Sequence, residues 1–162
     1  MKTILFVCYG NICRSPMAEG FLKKMLKEKI SNPARIQVLS AGLNAFGWPV
    51  SKEAAEILKR ESIDVSGFRS KRLSEELIDK ADLVLTMEKS QKDTILSLLP
   101  KYTHKTFTLK EFAGKKENLD ISDPYGGGLK AYEASAKEIK LALAKAFDRI
   151  VSYMLEDDEE RK

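Results

Sequence analysis

The chain has 162 residues, of which 43% are apolar and 32% charged, and its net charge is +4 at pH 7. This composition excludes a disordered or fibrous protein, and the length suits one domain with a single core. No apolar stretch is long enough to cross a membrane and the N-terminus has no signal-peptide pattern, so we expect a cytoplasmic protein without a membrane partner.

Charge is unevenly distributed along the chain. Residues 156–160 are all acidic and precede two bases, and without residues 156–162 the net charge is +7. We therefore expect a single domain over residues 1–155 and a disordered acidic tail over 156–162. A positive body suits an anionic substrate. The rival is nucleic acid, but the lysines are spread along helix surfaces without an aromatic cluster, so no nucleic-acid partner is predicted.

The predicted elements alternate between strands and helices. A buried strand over 2–7 precedes a polar loop, and a helix over 16–30 follows it, with Pro16 at its first position. The later elements are a strand over 36–40, a helix over 51–61 capped by Ser51, a helix over 74–80, a strand over 83–86, a helix that opens at 87–90 and ends near 99, a strand over 106–108, a helical turn at 109–112 and a helix over 128–155. We predict an α/β fold, a four-stranded parallel sheet with helices on both faces and a phosphate-binding loop after strand 1.

That loop, residues 8–15, reads Cys-Tyr-Gly-Asn-Ile-Cys-Arg-Ser. Its N–H groups can turn inward around a tetrahedral anion while Arg14 closes the ring, and the same donors favour a thiolate at Cys8. A lone Cys-x5-Arg spacing is often accidental, and free cysteines are mostly buried apolar residues. The buried strand before the loop and the Gly10-Asn11 pair inside it favour a catalytic cysteine.

Phosphoryl transfer to Cys8 also needs a proton donor for the leaving oxygen and a base for the attacking water. Asp123, in the Asp-Pro-Tyr-Gly-Gly-Gly segment, follows the fourth strand, so the topology brings it to the sheet edge that carries Cys8. An Asp-Pro pair before glycines is usually only a turn, and Asp120 is close enough to compete.

These segments closely resemble the low-molecular-weight protein tyrosine phosphatase family over nearly the whole chain. The resemblance rests on Val-Cys-x-Gly-Asn-Ile-Cys-Arg-Ser-Pro-Met-Ala-Glu at 7–19, Ser-Ala-Gly at 40–42, Ala-Asp-Leu-Val-Leu-Thr-Met at 81–87 and Asp-Pro-Tyr at 123–125. It implies that Cys8 is the nucleophile, Arg14 the phosphoryl clamp and Asp123 the general acid and then base. It also implies a substrate-binding set, with Ser40 supporting the loop: Tyr9, Gly10, Asn11, Ile12, Cys13, Ser15, Phe46, Trp48 and Tyr125.

Four details of the resemblance bear on the site. Ser15 would donate a hydrogen bond to the Cys8 sulfur, although it could also cap the first helix. Tyr125 would form one wall for a phenyl ring, and Phe46 or Trp48 the other. Phe68 stands where many members have a histidine that hydrogen-bonds behind the loop. Lys71 replaces an arginine that is common in the family.

The bacterial subgroup of this family includes protein arginine phosphatases, in which a threonine takes the position of Ile12. A branched apolar side chain packs on a phenyl ring but not on a guanidinium, so Ile12 favours phosphotyrosine proteins as partners, with phosphoarginine proteins as the alternative. We expect a monomer or weak dimer.

Other interpretations compete with the phosphatase. An arsenate reductase of this fold would need two more cysteines after Cys13, and the sequence has none. A redox or phosphate-sensing module is the non-enzymatic alternative, because Cys8 and Cys13 could form a protective disulfide; we interpret this as regulation of a catalytic site. With two cysteines and a single histidine, His104, we expect no metal and no other cofactor.

Overall fold

The centre of the molecule is a four-stranded parallel sheet. The computed structural model describes residues 1–155, and the strands are β1 (Lys2–Cys8), β2 (Ile36–Gly42), β3 (Leu83–Thr86) and β4 (Thr106–Thr108). Their order in the sheet is β2-β1-β3-β4. The chain leaves β1 toward β2 and later adds β3 on its other side, so the order reverses at β1 and opens a crevice at its carboxyl end.

Helices cover both faces of the sheet, as predicted. They are α1 (Arg14–Lys29), α2 (Lys52–Arg60), α3 (Glu75–Lys80), α4 (Lys89–Leu98), α5 (Leu109–Phe112) and α6 (Gly128–Leu155), with short 3₁₀ turns at Pro33–Arg35 and Pro100–Lys105. Side chains of β1 alternate between the faces: Ile4 and Phe6 pack in the core under α1, α2 and α6, and Leu5 and Val7 in the core under α3 and α4. All four are buried because both faces of a parallel sheet are covered.

The first helix begins two residues earlier than the sequence pattern predicts. Cys13 is its N-cap residue, and the Cys13 carbonyl accepts the Met17 N–H at 3.2 Å, so the end of the loop is already helical. Ser15 therefore is not the cap, and Pro16 is the third residue of the helix instead of the first. The proline is tolerated because the N–H groups of a first turn have no partner within the helix.

The other predicted bounds lie close to the observed ones. Ser51 caps α2 as predicted, since its side chain accepts the Ala54 N–H. The predicted acidic tail, 156–162, lies outside the described residues. None of the helices within residues 1–155 is both long and apolar enough to cross a membrane.

Candidate active site

The loop that joins β1 to α1 curls around the Cys8 sulfur. Cys8 is 3% exposed, and its sulfur lies 3.2 Å from the Asn11 main-chain nitrogen and 2.8 Å from the Ser15 hydroxyl oxygen. Asn11 adopts a left-handed backbone conformation with φ of 55°, which asparagine tolerates better than most residues. The result is a buried sulfur with hydrogen-bond donors converging on it.

A network of buried polar side chains supports the loop from behind. The Asn11 amide nitrogen donates to the hydroxyls of Ser15, at 2.8 Å, and Ser40, at 2.9 Å, and Ser40 in turn donates to Glu19 at 2.9 Å. The Asn11 amide oxygen accepts the Lys71 main-chain N–H at 2.9 Å. The main-chain N–H of Lys71 thus completes the network, which needs no histidine at position 68.

Gly42, at the end of β2, allows this loop to approach the sheet. The β1–β2 register pairs Cys8 with Gly42. A Cβ atom at Gly42 would lie 2.7 Å from the Tyr9 carbonyl oxygen and 2.8 Å from the Asn11 nitrogen, distances that a real side chain does not reach. The loop is also bonded to the residues that follow Gly42, because the Asn44 N–H donates to the Tyr9 carbonyl at 2.8 Å. A residue larger than glycine would push the loop outward.

Arg14 is held from the side away from the loop. Its guanidinium is almost fully buried, and Nη1 donates to the Glu88 carboxylate at 2.5 Å and to the Ile121 carbonyl at 2.7 Å. Glu88 lies two residues after the end of β3 and caps α4. Both acceptors come from the carboxyl edge of the sheet, so they fix the orientation of the guanidinium relative to the loop.

Asp123 reaches the same edge, as predicted. Its carboxylate lies 3.8 Å from Arg14 Nη2, accepts the Tyr125 N–H at 3.1 Å, and is 56% exposed. The competing carboxylate of Asp120 accepts the Lys89 N–H at 2.8 Å at the start of α4. The structure therefore places Asp123, and not Asp120, beside Arg14.

A cavity of about 430 Å³ opens above the sulfur. Its lining contains most of the predicted site, namely Cys8, Tyr9, Gly10, Ile12, Cys13, Arg14, Phe46, Trp48, Asp123 and Tyr125, together with Asn44, which was not predicted. Phe46 and Trp48 lie side by side, with ring centroids 5.9 Å apart, so both belong to the wall for which the sequence predicted one of them. Asn11, Ser15 and Ser40 are fully buried and are absent from the lining, so they act on the loop from behind.

The second loop cysteine has a different environment from the first. The Cys13 sulfur lies 3.0 Å from the hydroxyl of Tyr132, which is 2% exposed. Burial raises the pKa of the Cys13 thiol, and hydrogen bonds from Tyr132 and Ser51 offset part of that increase. Both cysteines are free thiols here, and the Cys8–Cys13 disulfide stays a prediction.

Sequence reasoning missed four residues that shape the site: Asn44, Glu88, Gly42 and Tyr132. Glu88 could have been found, because a carboxylate two residues after the strand next to β1 lies at the carboxyl edge of the sheet. The close approach at Gly42 and the contact between Tyr132 and Cys13 depend on packing between distant segments, which the sequence does not display. Within residues 1–155, the structure has no cluster of three or more His, Cys, Asp or Glu side chains that could hold a metal ion.

Known proteins share the sequence pattern and the fold of this chain. Residues 3–154 match the model of the family described as low molecular weight phosphotyrosine protein phosphatase. A probable low molecular weight protein-tyrosine-phosphatase, EpsP, of Ralstonia nicotianae is 40% identical over 86% of this chain and 90% of that protein. A protein-arginine-phosphatase of Geobacillus stearothermophilus is 38% identical over 91% of this chain and 95% of that one. The crystal structure of a low molecular weight protein tyrosine phosphatase from T. tengcongensis superposes with a TM-score of 0.84 and 42% identity, covering 92% of this chain and 99% of that one.

Proposed function

We propose, because this chain belongs to the low molecular weight phosphotyrosine protein phosphatase family and is therefore a hydrolase, that it removes phosphate from phosphotyrosine in proteins. One observation carries the proposal: the thiol of Cys8, the guanidinium of Arg14 and the carboxylate of Asp123 all line one cavity at the carboxyl edge of the sheet. These are the nucleophile, the anion clamp and the acid that the reaction requires.

In the first step the Cys8 thiolate attacks phosphorus. A sulfur–phosphorus bond forms while the bond from phosphorus to the phenolic oxygen breaks, and the electron pair leaves on that oxygen. The Asn11 side chain already donates to the Ser15 oxygen, so the Ser15 hydrogen is free to point at the sulfur 2.8 Å away. This hydrogen bond and the Asn11 N–H stabilise the negative sulfur in the free enzyme and again when it leaves.

Arg14 binds the oxygens of the transferring phosphoryl group. Its Nη1 nitrogen is engaged by Glu88 and Ile121, which fixes the guanidinium, and we expect its other N–H groups to bind the phosphoryl oxygens. A donor that is fixed before the reaction and aimed at developing charge lowers the activation free energy by roughly 3 kcal/mol. Inward N–H groups of the loop supply the other donors, so the residues of this chain neutralise the phosphate by themselves.

Asp123 supplies the proton. It protonates the phenolic oxygen as that oxygen leaves, and the resulting carboxylate then removes a proton from the water that attacks the phosphocysteine. Water displaces the Cys8 thiolate, inorganic phosphate is released, and the enzyme returns to its starting state. The exposure of the Asp123 side chain suits this role, because both the leaving group and the incoming water arrive from the open side of the cavity.

The aromatic walls favour a phenyl ring as the group that carries the phosphate. Phe46, Trp48 and Tyr125 all line the cavity, and these side chains are 57% to 72% exposed. Large exposed aromatic side chains around one cavity can stack on an aromatic ring that enters between them. Ile12 adds a partly exposed apolar surface to the lining.

Phosphoarginine proteins are the second candidate substrates, because the protein-arginine-phosphatase of Geobacillus stearothermophilus is 38% identical to this chain. Ile12 argues against them, since burying a guanidinium against an isoleucine leaves polar N–H groups without partners. The deciding experiment compares kcat/KM for phosphotyrosine and phosphoarginine peptides of one sequence, using the wild type, Ile12→Thr and the matched control Ile12→Val. We expect the wild type and Ile12→Val to prefer phosphotyrosine and Ile12→Thr to shift toward phosphoarginine. A wild-type preference for phosphoarginine would refute the proposed substrate.

A further inference from the structure

A basic segment, Arg69-Ser70-Lys71-Arg72, is bonded to the cavity lining, and its charged side chains have no part in the proposed chemistry. Two hydrogen bonds fix it to the aromatic wall: the Ser70 N–H donates to the Trp48 carbonyl at 2.7 Å, and the Trp48 N–H donates to the Ser70 hydroxyl at 2.9 Å. Trp48 lines the cavity. The basic segment therefore lies directly behind one wall of the substrate site.

A second set of main-chain bonds fixes the basic segment to the sheet. The Gly42 N–H donates to the Lys71 carbonyl at 2.9 Å, and the Leu73 N–H donates to the Gly42 carbonyl at 2.8 Å, so Gly42 and Arg72 form a parallel bridge. Gly42 is the residue that faces the phosphate-binding loop. The position of the segment relative to the phosphate site is thus set by main-chain bonds and the Ser70 hydroxyl, and does not depend on its cationic side chains.

The three cationic side chains of the basic segment are exposed and available. Arg69, Lys71 and Arg72 are all exposed to solvent. Among the described residues they form no ion pair, and the guanidinium of Arg69 meets only the Phe68 carbonyl, at 3.4 Å. The nearest acids in the chain are engaged elsewhere: Asp64 with the Ser66 N–H, Glu75 with Lys101 and Glu76 with Lys80.

Another part of the cavity lining carries the opposite charge. Asp123 lines the cavity beside Arg14, which also binds the Glu88 carboxylate, and Asp120 lies three residues before Asp123 in the chain. A peptide that crosses the opening therefore meets unpaired cations beside Trp48 and carboxylates beside Tyr125. Such an arrangement attracts acidic residues to the Trp48 side and disfavours them on the other.

We propose that the basic segment binds acidic residues that flank the phosphorylated side chain of protein substrates. The inference rests on the proposed function, since it concerns the substrate class of the same site. Exposed ion pairs contribute about 0.2 to 1 kcal/mol each, so the segment selects among peptides without adding to the chemical step. Its contribution also falls as ionic strength rises, because exposed charges are screened by salt.

The test uses phosphotyrosine peptides with acidic residues on both sides of the tyrosine, matched peptides with alanine in those places, and a small aryl phosphate. Three proteins are compared: the wild type, Arg69→Gln/Arg72→Gln, and the control Lys27→Gln/Arg35→Gln. The control removes the same charge from exposed positions near the amino edge of the sheet, since Lys27 lies in the last turn of α1 and Arg35 directly precedes β2.

We expect the wild type to prefer the acidic peptide in kcat/KM at low salt. Arg69→Gln/Arg72→Gln should reduce that preference about three- to tenfold, leave the aryl phosphate unaffected, and differ clearly from the control. A preference that is absent in the wild type, survives in this variant, or is lost equally in the control overturns the inference. Failure of the proposed function gives a different result, because the wild type would then hydrolyse neither phosphotyrosine peptide, whatever its flanking residues, or would prefer a phosphoarginine peptide of the same sequence.

Discussion

Arg14 Nη1 donates a 2.5 Å hydrogen bond to the Glu88 carboxylate, so the residue that clamps the phosphate is itself held by the acid that caps α4. Glu88→Ala should leave this guanidinium free to turn away from the loop. We expect kcat/KM for an aryl phosphate and the affinity for vanadate to fall together by about tenfold or more, since a hydrogen bond between charged groups is worth about 1.5–3 kcal/mol.

Two variants separate positioning from folding in this prediction. Glu88→Gln keeps an oxygen acceptor for Arg14 and should lose less activity than Glu88→Ala. Lys89→Ala, at the adjoining position of α4, alters the same helix start without touching Arg14. Vanadate affinity that is equal in the wild type and Glu88→Ala would contradict the positioning role.

Asp123 and Asp120 are three residues apart and are predicted to behave differently. Asp123→Ala should lower kcat by about a hundredfold or more, because it removes general acid catalysis. Asp120→Ala should leave the chemical step intact, since that carboxylate accepts the Lys89 N–H at the start of α4. The measurement is kcat on aryl phosphates with leaving groups of different basicity. The Asp123 defect should be smallest for the most acidic phenol, and a uniform defect would argue against proton donation.

The close contacts around Gly42 predict the effect of adding a single methyl group at this position. Gly42→Ala would place a Cβ within 2.9 Å of three main-chain atoms of the loop, and overpacking of this kind costs about 1–3 kcal/mol. We expect a lower Tm and weaker inhibition by inorganic phosphate, because the displaced loop binds the anion less well. Gly67→Ala is the control, since nothing lies within 4 Å of its Cβ position. Equal phosphate inhibition in the two variants would contradict the close approach.

The raised pKa of Cys13 predicts how stability depends on pH. Burial raises the pKa of this thiol above its ordinary value of 9.0, so the unfolded chain releases the proton at lower pH than the folded protein does. The contribution of Cys13 to stability is therefore full below about pH 9 and is lost as pH rises through the folded-state pKa. We expect the Tm of the wild type to fall more steeply than that of Cys13→Ser above pH 9. Parallel curves of Tm against pH would show that the pKa of the Cys13 thiol is not raised.

Most elements of the fold could be predicted because their signals are local. The strands at 83–86 and 106–108 and the helix at 128–155 are predicted with their observed bounds, since apolar runs and flanking breakers mark their ends. The predicted start of α1, at residue 16, was wrong because the loop closes into a helical turn before Pro16. That closure depends on bonds from Asn11 to Ser40 and Lys71, which are far apart in the sequence.

The candidate site divides in the same way. Cys8, Arg14 and Asp123 could be identified because their chemistry and their positions after strands are visible in the sequence, and the parallel topology brings such positions to one edge. The sequence could not show that both Phe46 and Trp48 stand at the opening, since this follows from the path of the loop. It also gave no sign that Trp48 is bonded to Ser70.

Rapid acid quenching followed by mass spectrometry of the Cys8 peptide tests the central proposal most directly. During turnover of an aryl phosphate, we predict a phosphate adduct on Cys8 of the wild type that forms and decays at rates consistent with kcat. Cys8→Ala should show neither the adduct nor turnover. Turnover by Cys8→Ala at the wild-type rate, or an adduct on a residue other than Cys8, would contradict a phosphocysteine mechanism.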